Sequence, residues 1–362
     1  MMKTLFQRGG LALLLAVALL TGCDPKKTED ASQPPGYEPG KTTKTGTAAP
    51  AGAATYKMIT NNSSPFWETM GKGMEEAKTS LKVNGDRQAP SPADNNQQVT
   101  LLKDAVSAKA DGVGISPIQP DALVAAIDDT VAAGIPVICF DSDSPKSKRL
   151  AYIGTNNFDA GKAAGEQIVK LFPNGGKLVA FVGEMSAQNA RDRYNGILEA
   201  VKGHKIEFLQ APFEDKADKG RAKSNVEDAI VKYQKQINGF VGLWSYNGPG
   251  IISAVKAAGI RKDVKIICFD GDPGTLKALA EGDVDATIVQ KPYEFGRVSL
   301  LLLNAYKETK DITKAIEKIK PELDKIGAKV TGTIIDTGVT TVTPENAAKF
   351  LQELKDKGLE TT

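Results

Sequence analysis

Two stretches decide the fold. The first is Ala110-Asp111-Gly112-Val113-Gly114-Ile115-Ser116, a helical run, Ala133-Gly134-Ile135, and then Val137-Ile138-Cys139-Phe140-Asp141-Ser142-Asp143. The second is Ile237-Asn238-Gly239-Phe240-Val241-Gly242-Leu243, a helical run, Ala258-Gly259-Ile260, and then Ile266-Ile267-Cys268-Phe269-Asp270-Gly271-Asp272. Each reads as strand, helix, helix-ending glycine, strand and acidic loop. Two such units far apart in the chain imply two similar lobes, because a solenoid needs at least three stacked units.

Working outward, further strands are expected at Tyr56–Thr60, Leu178–Val182 and Ala286–Gln290. Helical periodicity covers Trp67–Leu81, Val99–Ala108, Asp121–Ala133, Ala160–Leu171, Ala190–Val201, Ala222–Tyr233 and Gly250–Ala258. Strand and helix in alternation predict an α/β fold whose two lobes each hold a parallel sheet flanked by helices. The tail reads as helix 291–307, a charged helix 311–326, a β-rich run 331–342 interrupted at Asp336-Thr337-Gly338, and a last helix 344–357. A three-stranded hinge is expected near Gly154-Thr155-Asn156, after Gln290 and near Asp336. The lobes would then be 56–155 plus 291–336, and 156–290 plus 337–362. Ligands of open parallel sheets sit beyond the carboxyl ends of the strands. Asp141 and Asp270, after matching Phe-Asp strand ends, are therefore expected on opposite walls of one cleft.

The N-terminus has a different character. Lys3 and Arg8 precede an apolar run from Leu11 to Leu20 and then Thr21-Gly22-Cys23. These are the zones of an export signal, and the run is shorter than the roughly 20 apolar residues of a membrane-spanning helix. Leu20-Thr21-Gly22-Cys23 resembles the bacterial lipoprotein box, which implies removal of residues 1–22, acylation of Cys23, and a membrane anchor on the periplasmic or cell-surface side. Residues 23–55 form the acylated cysteine and a Pro/Thr/Gly/Ala-rich tether with too few apolar side chains to build a core. Without residues 1–22 the chain carries 44 basic and 44 acidic residues. That balance argues against a nucleic-acid partner. Cys139 and Cys268 lie inside apolar runs and read as small buried hydrophobes rather than a disulfide.

From Tyr56 almost to the C-terminus the chain resembles the ribose-type sugar-binding proteins of ABC transporters, of the type I periplasmic-binding fold. The resemblance is carried by Asn61-Asn62-Ser63-Ser64-Pro65-Phe66-Trp67, Asp94-Asn95-Asn96-Gln97-Gln98, Asp111-Gly112-Val113, Cys139-Phe140-Asp141-Ser142-Asp143, Asn189-Ala190-Arg191-Asp192-Arg193-Tyr194-Asn195-Gly196, Tyr246-Asn247, Phe269-Asp270-Gly271 and Ala286-Thr287-Ile288-Val289-Gln290-Lys291-Pro292. It implies ring stacking by Phe66 and Trp67. It also implies hydroxyl recognition by Asp141, Arg191, Asn247, Asp270 and Gln290, with Arg193 in a more structural place. Two positions depart from the family. Ser142 stands where arginine is usual, with Asp143 next as a further acceptor or only the start of a loop. Ala217 stands where a second-lobe aromatic is expected, which turns attention to Trp244 and Tyr246.

The resemblance further implies a monomer that captures a monosaccharide or close relative by lobe closure and delivers it to an ABC permease. The alternative is the ligand-binding component of a sensory or chemotaxis receptor for a sugar-like signal. No enzyme activity and no cofactor or metal are expected. His204 is the only histidine, and the Gly-x-Ser-x-Gly elbow, the Walker loop, the dinucleotide fingerprint and a calcium loop are all missing. A transcription regulator with a similar core would carry a DNA-binding module where this chain has a signal and a tether.

Overall fold

The computed structural model describes residues 50–359 except 51, 65, 92 and 357. The export signal, Cys23 and most of the tether expected from the sequence lie outside the described residues.

The chain begins with β1 (Thr55–Ile59), α1 (Phe66–Leu81), β2 (Asn84–Gln88), α2 (Asn95–Ser107), β3 (Gly112–Ile115), α3 (Pro120–Ala132), β4 (Val137–Phe140) and β5 (Tyr152–Gly154). It continues with α4 (Asn157–Leu171), β6 (Gly176–Val182), α5 (Gln188–Ala200), β7 (Ile206–Phe208), β8 (Phe213–Glu214), α6 (Lys219–Tyr233), β9 (Gly239–Gly242), α7 (Asn247–Ala257), β10 (Lys265–Phe269), α8 (Pro273–Ala280) and β11 (Ala286–Val289). It ends with α9 (Pro292–Thr309), α10 (Ile312–Lys325), β12 (Lys329–Thr331), β13 (Ile334–Asp336), β14 (Thr340–Val342) and α11 (Ala347–Asp356).

Two seven-stranded sheets result. The first runs β12-β13-β5-β4-β3-β1-β2, and the second β14-β11-β10-β9-β6-β7 with β8 also on β6. Only β12 with β13 and β14 with β11 are antiparallel. In the first sheet β1 lies between β2 and β3, and in the second β6 lies between β7 and β9, so the two sheets have matching switch points. The inner strands are apolar throughout because both faces are covered. Along β4, Ile138 and Phe140 join the core under α1 and α9, while Val137 and Cys139 join the core under α2 and α3. Along β10, Ile267 and Phe269 face α4 and α5, while Ile266 and Cys268 face α7 and α8. Cys139 and Cys268 are free, buried thiols.

The chain passes between the sheets three times: from β5 to α4, from β11 to α9, and from β13 to β14. Two of these passages are bonded side by side. Thr337 donates to the Gly154 carbonyl from its amide at 2.7 Å and its hydroxyl at 2.9 Å. The Asp336 carboxylate accepts from the Asn156 amide at 3.0 Å.

The structure adds strands that the sequence pattern concealed. β2, Asn-Gly-Asp-Arg-Gln, is a polar edge strand with no β-branched or aromatic residue. β5 has only three residues, too few to display a period. Among the described residues no helix is long and apolar enough to cross a membrane.

Candidate functional site

The site is built on the two repeated strand ends. Asp141 and Asp270 take the left-handed conformation, with φ of 60° and 69°. Aspartate tolerates it better than most residues. Each amide donates to a neighbouring strand carbonyl, Asp141 to Ile153 at 3.0 Å and Asp270 to Ile288 at 2.8 Å. Each carbonyl in turn accepts a hydroxyl from the adjacent strand, Tyr152 for Asp141 and Thr287 for Asp270, both at 2.7 Å. The backbone is thus clamped identically in both halves, and the two carboxylates reach one cavity.

Their partners differ. Oδ2 of Asp141 accepts from Ser116 Oγ at 2.8 Å and from Asn189 Nδ2, on α5, at 3.3 Å. Oδ1 of Asp270 accepts from Gln290 Nε2 at 2.9 Å. Nη1 of Arg193 lies 3.9 Å from Oδ2 of Asp270. Burial pushes the Asp141 carboxyl up to about 6, against the pull of Arg193 and the Ser116 hydroxyl. Burial also raises Asp270, with Arg193 and Gln290 opposing. Two buried carboxylates thus share one guanidinium.

Arg193 is buried and firmly held. Its Nε donates to Asn157 Oδ1 at 2.9 Å, its Nη1 donates to the Leu243 carbonyl at 2.7 Å, and its guanidinium lies 4.7 Å from the Phe269 ring centre. Helices α4 and α5 pack closely enough to put it there. A side-chain Cβ at Gly161 would fall 2.1 Å from the Arg193 carbonyl oxygen, and one at Gly196 would fall 2.1 Å from that of Phe158. Phe140 plays the supporting part in the first half, where Trp67 meets it edge-on at 5.7 Å.

Aromatic rings come from both halves. Phe66 and Trp67 are T-shaped at 4.9 Å, and Trp67 donates its indole N–H to Asn62 at 3.1 Å. Trp244 and Tyr246 are T-shaped at 6.2 Å. The cavity between these groups measures about 30 Å³ and is lined by Asn61, Asn62, Ser64, Phe66, Trp67, Asp141, Asn189, Arg193, Trp244, Ser245, Tyr246, Asp270 and Gln290. Four buried polar atoms of this lining have no hydrogen-bond partner: the donors Arg193 Nη2 and Trp244 Nε1, and the acceptors Asn189 Oδ1 and Gln290 Oε1. Buried polar atoms are nearly always paired, so a mixed set of free donors and acceptors suits a ligand rich in hydroxyls.

Five residues singled out from the sequence, Phe66, Trp67, Asp141, Asp270 and Gln290, line this cavity. Four do not, and each has a local reason. Arg191 turns to the start of its own helix, bonding the Ser186 carbonyl and Gln188. At 100° per residue Arg191 and Arg193 point some 200° apart, so only one can face the cavity. Asn247 spends its amide within the wall, donating to Asp215 at 2.8 Å and accepting from the Trp244 amide at 2.9 Å. Ser142 is buried behind the strand end with its hydroxyl unpaired. Asp143 is taken by Arg149 in a two-bond ion pair of 2.5 and 2.6 Å. Both Trp244 and Tyr246 line the wall where Ala217 left the aromatic position open. The sequence reading passed over Asn61, Asn62, Ser64, Asn189, Arg193 and Ser245 as contacts, although all but Ser245 lie in motifs that it quoted. Among the described residues no group of three or more His, Cys, Asp or Glu side chains could hold a metal ion.

Residues 57–311 match the family model described as periplasmic binding protein domain. The chain belongs to that family. Among curated relatives, this periplasmic binding protein is 24% identical over 273 residues to the xylose/arabinose-binding protein XylF of Sulfolobus acidocaldarius, covering 70% of this chain and 66% of that one. It is 31% identical over 183 residues to the ribose import binding protein RbsB of Escherichia coli, covering 50% of this chain and 60% of that one. The match thus spans less than two thirds of either relative's length. Among solved structures, a solute-binding protein of an ABC transporter from Burkholderia graminis in complex with D-arabinose superposes with a TM-score of 0.72. It is 26% identical, covering 81% of this chain and 96% of that one. The two-sheet α/β architecture is that of the type I periplasmic binding proteins.

Proposed function

We propose that this periplasmic binding protein captures a neutral monosaccharide, or a close relative of one, between its two halves and delivers it to an ABC importer. The observation that carries this reading is the convergence in one cavity of two carboxylates, one guanidinium, two amides with free oxygens and four aromatic rings. Carboxylates and amides accept from hydroxyls, the guanidinium donates to them, and rings cover the C–H faces of a sugar. Xylose, arabinose and ribose in the names of the relatives support a pentose as the ligand class.

In this reading the lobes are 56–155 plus 291–336 and 156–290 plus 337–362. Both halves contribute to the lining, so the walls part for entry and close afterwards. Ligand contacts made from both walls favour the closed form. The protein acts as a monomer and binds without catalysis. Acylation of Cys23, which lies outside the described residues, would hold it at the membrane on the extracytoplasmic side. Labelled palmitate should enter the wild-type protein in cells and not Cys23→Ala; equal labelling of both rejects the anchor.

The test of the binding reading is a thermal-shift screen against pentoses, hexoses, deoxysugars and polyols. A ligand at 100 times its Kd should add about 2.7 kcal/mol of stability. No shift across the panel, together with no small molecule in the extract of the denatured protein, would overturn it.

A further inference from the structure

Asp215 is a buried carboxylate that contributes no atom to the cavity lining and yet governs one wall of it. It follows β8 and is fully buried. Its amide donates to the Val182 carbonyl at the end of β6 at 3.0 Å, which ties it to the sheet. Its Oδ1 accepts from Tyr246 Oη at 2.6 Å and from the Ala217 amide at 2.9 Å. Its Oδ2 accepts from Asn247 Nδ2 at 2.8 Å. Asn247 passes the constraint on, because its Oδ1 accepts from the backbone amide of Trp244 at 2.9 Å. Tyr246 and Trp244 are the two rings of the second wall.

A buried carboxylate is costly unless charge-paired or fully hydrogen-bonded. Here three neutral donors hold it, and the acid Asp218 adds to the rise that burial causes. Burial pushes it up to about 7 despite those donors. The rings also pack closely on bare backbone. A Cβ at Gly183 would lie 2.0 Å from Trp244 Cζ3 and 2.6 Å from Tyr246 Oη. The wall thus packs on the bare backbone of Gly183 and is hydrogen-bonded to the carboxylate of Asp215.

We infer that Asp215 is the positioning residue of this wall: it sets the orientation of Tyr246 and, through Asn247, of Trp244, and thereby which ligands the cleft accepts. The first part concerns the wall itself. The last clause rests on the sugar-binding reading.

The chain has two tryptophans, so Trp67→Phe leaves Trp244 as the only reporter. In that background, Asp215→Asn should raise acrylamide quenching of Trp244 at least twofold and shift its emission to the red, with far-UV circular dichroism unchanged. Tyr246→Phe, which removes one of the three donors, should move both readings part of the way. If Asp215→Asn does not fold, Tyr246→Phe and Asn247→Ala carry the same test. Folded variants whose Trp244 quenching and emission equal the parent's overturn the positioning role. Titration of the otherwise wild-type protein and of Asp215→Asn with D-ribose, D-xylose, D-arabinose and D-allose then tests the last clause. It expects a changed order of affinities, and an unchanged order rejects it. If none of the four binds the parent, the sugar reading for this panel fails, while the fluorescence still decides the role of Asp215.

Discussion

At the scale of single residues the site turns on charge in a dry place. Asp141 has its carboxyl pushed up to about 6, from an ordinary value of 3.8. A carboxyl whose folded pKa is raised stabilises the fold most below its unfolded pKa, and that contribution is lost as pH rises through about 6. Ligand binding should run the other way, because hydroxyl recognition uses the ionised acceptor. Between pH 7.5 and pH 5 the ligand-free protein should gain stability from this group while affinity falls about tenfold. Calorimetric titration of wild type and Asp141→Asn checks this, and a pH profile equal in both proteins rejects it. The two arginines of α5 offer a second comparison. Arg193→Lys keeps the charge and loses the planar fork, so affinity should drop at least tenfold, about 1.4 kcal/mol. Arg191→Ala should change it less than threefold, since Arg191 bonds only its own helix start. The reverse order of effects would contradict the placement of Arg193 in the cavity.

At the scale of elements, two close helix pairs hold the site. α4 against α5 supports Arg193, and α1 against α9 supports Trp67. Gly161 sits where a methyl group would meet the Arg193 carbonyl at 2.1 Å. Gly161→Ala should therefore push α5 outward, costing about 1–3 kcal/mol of stability in urea unfolding and weakening ligand binding together. A loss of stability with affinity intact would separate the helix contact from the site. Most of these elements were legible in the sequence, because apolar periodicity is a local signal and the inner strands are nearly unbroken apolar runs. β2 was not, since an edge strand half open to water needs no apolar alternation. β7 and β8, of three and two residues, are too short to leave a periodic trace.

At the scale of the whole molecule, three passages of chain link two sheets of similar topology, and side chains bond across the cleft. Asn189 on α5 reaches Asp141 at the end of β4, at 3.3 Å. This contact joins the two walls directly. Asn189→Ala should shift the ligand-free population toward the open form, seen as a larger radius of gyration by small-angle X-ray scattering, with saturating ligand restoring the compact value. Equal radii for the free variant and free wild type would show that the contact does not hold the walls together.

The resemblance to the ribose-type binding proteins pointed to the aromatic pair at Phe66 and Trp67; the sequence by itself determined the α/β class, the two matched halves and the positions of the two strand-end aspartates. These follow from periodicity, from an internal repeat and from the rule that strand ends form the ligand edge, all properties that one segment or two alike segments carry. Only the tertiary structure decided that Arg193 and not Arg191 enters the cavity. A helix rotates by 100° per residue, so a shift of one or two positions in its start reverses which side chain faces inward. Only the tertiary structure decided, too, that Asn247 serves the wall rather than the lining, that Asp143 belongs to Arg149, and that Asp215 lies behind Tyr246. Those assignments depend on partners such as Asp215 and Asn247, 32 residues apart, which meet only when the end of β8 and the start of α7 pack together.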